Sequence, residues 1–204
     1  MFTDKFIDCD VDDHYVIGSF ISLTDLHSIH NMHSTNALTL SIDYMKKMLA
    51  HDKYDDVRYI LECDKDTKIY INMMDNDGDS LLHMSIYIDK YSFAELLLEC
   101  HANPNKLDKK KQSPIFRTIF TNNPSFIKLL KRYGADLNLT DEDGNSVLHL
   151  AVLMGNTVII EELLKNNIDA HLKNNAGLFA MDYAKSFDST VQCSIIKLFS
   201  TYLS

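Results

Sequence analysis

Short apolar runs closing on paired aliphatic residues recur along the chain: Leu96-Leu97-Leu98, Leu129-Leu130, Leu163-Leu164 and Ile195-Ile196. Successive runs stand 33 residues apart to within one position. Polar turn chemistry lies between them. Asp75-Asn76-Asp77-Gly78 and Asp141-Glu142-Asp143-Gly144 are turns in which glycine supplies a conformation that β-carbons resist. Ser80, Ser113 and Ser146 follow where a helix N-cap belongs, and Pro114 takes the first helical position. Each copy is therefore predicted to hold a turn, a first helix, and a second helix ending in the aliphatic pair. One such unit cannot bury its apolar face alone, so stacking of several makes the core.

Two further signatures keep the same register. Gly78-Asp79-Ser80-Leu81-Leu82-His83 recurs as Gly144-Asn145-Ser146-Val147-Leu148-His149, with Lys111-Gln112-Ser113-Pro114-Ile115-Phe116 at the midpoint and Gly177-Leu178-Phe179-Ala180-Met181-Asp182 beyond. His101-Ala102-Asn103, Gly134-Ala135-Asp136 and Asn167-Ile168-Asp169 repeat likewise. These residues resemble the ankyrin repeat, whose period is 33 and whose pattern includes a TPLH-like tetrapeptide. The resemblance implies an all-α fold, a solenoid of stacked helix-turn-helix units with β-hairpin-like fingers. Four repeats are expected over 75–204, the last acting as a C-terminal cap because it departs from the pattern at Phe179 and Asp182. A degenerate repeat is expected over 35–74, with helices from Ala37-Leu38 to Met48-Leu49 and from Val57 to Leu61. Extra residues around Asp64 to Lys68 break its period, and residues 1–34 form an acidic N-terminal segment.

Composition narrows the class. Six glycines and three prolines compare with roughly 24 in an average chain of this length, which argues against collagen-like and Pro/Gly-rich disordered proteins. Hydrophobic residues at 46% are enough for a packed core. No run of 18 apolar residues offers a membrane span, and the start lacks a basic, then apolar, leader. Cys9, Cys63, Cys100 and Cys193 contain no CxxC pair, which suits free thiols in a reducing compartment. A cytoplasmic or nuclear location is expected. The net charge of −9 disfavours nucleic-acid binding driven by the whole-protein field.

The charge is also patterned. Residues 1–34 carry −5, residues 106–132 carry +7, and the remainder carries −11. Lys109-Lys110-Lys111 is predicted as a basic finger between the acidic fingers Asp75-Asn76-Asp77 and Asp141-Glu142-Asp143. Such a pattern is either solubilising surface or a means of steering a partner with the opposite pattern.

Candidate chemistry is sparse. Asp75-x-Asp77-Gly78-Asp79 looks like a calcium loop, but glycine is fourth rather than sixth and the twelfth residue is Ile86 instead of glutamate. His83 and His149 recur in register. In ankyrin-like repeats this histidine braces the tetrapeptide turn, and the hydroxyls of Ser80 and Ser146 are its natural partners. His27, His30 and His33 lie three apart, with Cys9 and His14 upstream, and offer an alternative reading as a small metal-binding protein. Structural zinc sites favour tighter frameworks with four defined ligands. No nucleophile elbow, P-loop, GxGxxG or HExxH occurs. No enzyme activity, cofactor, metal or small-molecule substrate is expected.

Register instead places a protein-binding face. In ankyrin-like stacks the variable positions are the finger tips and the outward side of the first helix. With each turn glycine counted fourth, positions two, three and five hold Asn76, Asp77 and Asp79, then Lys109, Lys110 and Gln112, then Glu142, Asp143 and Asn145. Positions thirteen and fourteen hold Tyr87 and Ile88, Phe120 and Thr121, Leu153 and Met154, then Ser186 and Phe187. Six of those last eight are large and apolar or aromatic, which reads as an interaction patch. The competing reading tucks some of them into the core.

The texture of the repeats narrows the resemblance. Glycine-poor copies rich in Ile, Asn, Lys, Asp and Tyr, with SLLH and SVLH for TPLH, are similar to viral ankyrin proteins, especially those of poxviruses. Larger poxviral members end in an F-box-like segment, for which no room follows the final repeat. The chain thus resembles the short, F-box-free host-range and IκB-like class. That implies a monomer that binds a host signalling or transcription factor, often in the NF-κB or antiviral pathway, and blocks it by occupancy. A cellular or bacterial ankyrin adaptor is the alternative.

Overall fold

The computed structural model describes Ile42, residues 45–63 and residues 71–203. The N-terminal segment 1–34, with its histidine cluster, and the period-breaking residues 64–68 lie outside the described residues. The chain divides into two compact units, Met1–Tyr70 and Ile71–Ser204. In the first, a helical segment over 45–50 turns at Asp52 (φ 57°) into α1, Tyr54–Cys63. Among its described residues Ile42, Met45, Met48, Leu49, Val57 and Leu61 are buried.

The second unit holds four helix pairs among its described residues. α2 (Leu81–Tyr87) pairs with α3 (Tyr91–Glu99), and a 3₁₀ helix over Pro114–Phe120 pairs with α4 (Ser125–Arg132). α5 (Val147–Leu153) pairs with α6 (Thr157–Lys165), and a second 3₁₀ helix over Ala180–Ser186 pairs with α7 (Ser189–Tyr202). The first helices lie side by side, each in contact with the next. They approach closely because small residues occupy one register position: Ser85, Thr118, Ala151 and Ala184 are all buried. The hydroxyls of Ser85 and Thr118 donate back to the carbonyls of Leu82 and Ile115 at 2.9 and 2.7 Å, so neither is left unpaired. Leu97, Leu130 and Leu163, of the recurring aliphatic runs, are fully buried, as are Leu82, Leu148, Ile86 and Val152. Ile196, at the corresponding place in α7, is 44% exposed.

The same finger precedes every first helix. The backbone N–H groups of Asp75, Asp108, Asp141 and Asn174 donate to the carbonyls of Asp79, Gln112, Asn145 and Leu178 at 2.9–3.0 Å. Isolated antiparallel bridges join Met74 to Ser80, Thr140 to Ser146 and Lys173 to Phe179. The leading side chain nucleates each turn. A side-chain oxygen of Asp75 accepts the N–H groups of Asp77 and Asp79 at 2.9 and 2.8 Å, and Asp108, Asp141 and Asn174 repeat the arrangement. The calcium-like spelling of Asp75 to Asp79 is therefore turn chemistry. Glycine is needed at Gly78 and Gly144 for two reasons. Both have positive φ (89° and 77°), and an added Cβ would lie 2.7 Å from the Lys109 nitrogen or 2.9 Å from that of Asn175. Lys111 takes the same position in the second finger with φ 59°.

Sequence periodicity predicts a helix after each finger without distinguishing α from 3₁₀. The two α-helical copies are those that keep the histidine. Where Phe116 and Asp182 replace it, the first turn closes through i→i−3 bonds, Phe116 N–H to Ser113 and Asp182 N–H to Phe179.

Candidate protein-binding face

The face is held by links between consecutive repeats. The Ser80 N–H donates to His83 Nδ1 at 3.2 Å, and the Ser80 hydroxyl lies 2.8 Å from the same nitrogen. Because Nδ1 accepts, Nε2 carries the proton and donates to the Gln112 carbonyl at 3.2 Å in the next finger. His149 repeats this with Ser146 behind it and the Leu178 carbonyl ahead. Burial pushes both imidazoles below their ordinary value, more than the carbonyl hydrogen bond raises them. They are neutral braces, as the recurrence of the histidine implied. In the last copy, Asp182 takes over part of the role by accepting the Phe179 N–H at 2.9 Å. Lys185 holds that carboxylate below its usual range, with the Phe179 N–H adding to the effect.

Two further links were not read from the sequence. Arg117, on the 3₁₀ helix, reaches Asp79 at 2.6 Å, Asp108 at 2.7 Å and the Gln112 side-chain carbonyl at 2.9 Å, tying the bases of the first two fingers together. It occurs in one copy only, so periodicity carried no signal for it. The second link is a ladder. The side-chain carbonyls of Asn72, Asn105 and Asn138 accept the N–H groups of Asn103, Asp136 and Asp169 at 2.7–2.9 Å. These asparagines stand 33 apart, and that spacing was available to find them.

The fifth finger position belongs to these networks. Asp79 is half-buried on Arg117, Gln112 accepts from it, and Asn145 is buried and accepts from Asn174 at 2.8 Å. The tips are open. Asn76, Asp77, Lys109, Lys110, Glu142 and Asp143 are all exposed. On the first helices, Tyr87, Phe120, Leu153 and Met154 are 47–56% exposed despite their size. Ile88, Thr121 and Phe187 are half-buried. Phe187 is turned onto Gly155: a Cβ there would lie 3.1 Å from the Phe187 ring, closer than ordinary van der Waals contact, so the ring would have to give by a few tenths of an ångström.

Tyr87 and Phe120 meet edge to face, with ring centroids 5.9 Å apart at 71°, so adjacent repeats present one continuous aromatic surface. Row and fingers share one side of the stack. Arg117 points at the finger bases, and in a 3₁₀ helix residues i and i+3 eclipse, which places Phe120 on the same helix face. Among the described residues no three His, Cys, Asp or Glu side chains are grouped to hold a metal ion, and no helix is long and apolar enough to cross a membrane.

A model of the family described as "Ankyrin repeats (3 copies)" matches residues 82–175 and 115–196. The chain is also similar to Ankyrin repeat domain-containing protein 49 of Drosophila melanogaster, at 43% identity over 53 residues. That alignment covers 26% of this chain and 23% of the relative, so the chain spans about a quarter of the curated protein it matches. Helix pairs in 33-residue register, fingers closed by a leading Asp or Asn, histidine braces between repeats and a family match across more than half of the chain lead to one conclusion: this chain belongs to the ankyrin repeat family.

Proposed function

We propose that the chain is a non-catalytic protein–protein interaction module that engages its partner through the row Tyr87, Phe120, Leu153 and Met154. The observation that carries this is the exposure of the row. Tyr87, Phe120 and Leu153, in repeat register, and the adjacent Met154 are 47–56% exposed, more than any other large apolar side chain among the described residues, the next being 44%. A contiguous apolar patch of this kind marks interaction surfaces more than it marks ordinary surface. Ankyrin repeats are generally non-enzymatic interaction modules, which agrees.

The finer reading is inhibition by occupancy of a host innate-immune or NF-κB pathway protein, in the cytoplasm or nucleus. Its support is the compositional resemblance of the repeats to short viral ankyrin proteins. The test is affinity purification from host cells with the full chain and with a Tyr87→Ala/Phe120→Ala/Leu153→Ala variant. A protein retained by the first and lost by the second, with the thermal midpoint nearly unchanged, supports the reading. Equal retention by both, or strong destabilisation of the variant, counts against the row as a binding face.

A further inference from the structure

Charges at the finger tips behave differently from those behind them. Arg117 is consumed within the stack by Asp79 and Asp108. At the tips, among the described residues, Asp77, Lys110, Lys111, Glu142 and Asp143 form no ion pair, and the Lys109 ammonium rests on the Asn76 carbonyl. From the second finger onward the tips are also held to one another by main-chain bonds. The Glu142 N–H donates to the Lys110 carbonyl at 3.0 Å, and the Asn175 N–H donates to the Asp143 carbonyl at 2.9 Å. Acidic, basic and acidic stations thus stand in fixed order, one per repeat, on the side of the stack that carries the aromatic row.

We propose that this face takes a protein segment whose apolar side chains seat on the row and whose charges run basic, acidic, basic. Its carboxylates face Lys109, Lys110 and Lys111, one basic group faces Asp77, and another faces Glu142 and Asp143. The proposal rests on the row being the binding face and adds which partner that face selects. Unpaired rim charges of alternating sign contribute more to encounter rate, register and rejection of wrong partners than to raw affinity. A segment with the inverse order meets like charge at all three stations. Because a main-chain bond joins the second tip to the third and the Lys109 side chain joins the second to the first, little ordering of the fingers is left for binding to perform.

The test is selection of a random peptide display library on the full chain. Enriched sequences are expected to place an Asp/Glu cluster between Lys/Arg residues, alongside apolar positions. The synthesised consensus peptide should bind about tenfold more weakly to a Lys109→Glu/Lys110→Glu/Lys111→Glu variant, a few-fold for each exposed pair reversed. A Lys110→Glu/Lys111→Glu variant, which leaves the Lys109 contact intact, should show the same direction. The difference should shrink near 1 M salt, where the Debye length is about 3 Å. Consensus sequences without an acidic centre, or affinity indifferent to the reversals, overturn the proposal. So does a single-stranded DNA oligonucleotide that binds as tightly as the peptide, because the basic finger would then be a generic polyanion site. If acid-centred peptides are selected but Tyr87→Ala/Phe120→Ala leaves their affinity unchanged, the charge order stands and the row falls. If nothing is enriched, both fall.

Discussion

Replacing Ser113 by alanine should stabilise the stack, whereas the same substitution at Ser80 or Ser146 should destabilise it. The three serines occupy one register position and all are buried. Ser80 and Ser146 place their hydroxyls 2.8 Å from a histidine ring nitrogen. Ser113 faces Phe116 in that place, and its hydroxyl has no hydrogen-bond partner among the described residues. A net hydrogen bond contributes about 1 kcal/mol, so Ser146→Ala should cost about that much, while a buried unpaired polar group costs about 1–3 kcal/mol that Ser113→Ala would relieve. Losing the small packing volume of one oxygen offsets part of the gain. A net stabilisation of about 1 kcal/mol is expected, and a rise in thermal midpoint of roughly 3 °C for a stack of this size. Urea midpoints for the three variants, at unchanged slope, measure the differences directly. If Ser113→Ala loses as much stability as Ser146→Ala, the hydroxyl is bonded and the reasoning is refuted.

Stability should also depend on pH through His83 and His149. Their folded values lie below the ordinary 6.5, so the unfolded chain binds more protons, and stability is full above about pH 6.5 and declines as pH falls below it. Thermal scans at successive pH values check this, and a His83→Gln/His149→Gln variant with the same decline would show the cause to lie elsewhere. Gly144→Ala should cost more than Gly177→Ala. Both have φ near 76°, which alone costs an alanine about 1–2 kcal/mol, but only at Gly144 does the new Cβ crowd a neighbour, Asn175. Equal denaturation midpoints would refute the close-approach argument. Arg117→Gln should destabilise by about 2–4 kcal/mol, because it removes the counter-charge of the Asp108 carboxylate, whose side chain is 3% exposed and keeps only the N–H groups of its own finger. A midpoint unchanged in 1 M salt and in low salt would show that the bridge contributes little.

Much of the candidate face follows from register alone, because a solenoid repeats its local chemistry at a fixed interval. Tyr87, Phe120 and Leu153 share one position in the period, and all three are exposed. The next position behaves differently from copy to copy. Met154 is exposed, while Ile88 and Phe187 are half-buried, and Phe187 lies against Gly155, where a side chain would crowd its ring. The fifth finger position was likewise expected at the open tips. Asp79 and Asn145 instead bond Arg117 and Asn174, which lie 38 and 29 residues further on.

The sequence by itself determined the period, the finger, the helix starts, the paired aliphatic core and the histidine braces, each of which depends on residues within one repeat or on exact recurrence. It also determined the acidic, basic, acidic order of the tips, since three consecutive lysines in one finger need no structure to be counted. Only the tertiary structure decided which of those charges are used up internally and which remain for a partner. That depends on where a side chain from the following repeat arrives, and Arg117 has no counterpart in register to announce it. Burial and pairing between repeats are properties of the stacked interface, where one absent side chain or one guanidinium changes the fate of its neighbours.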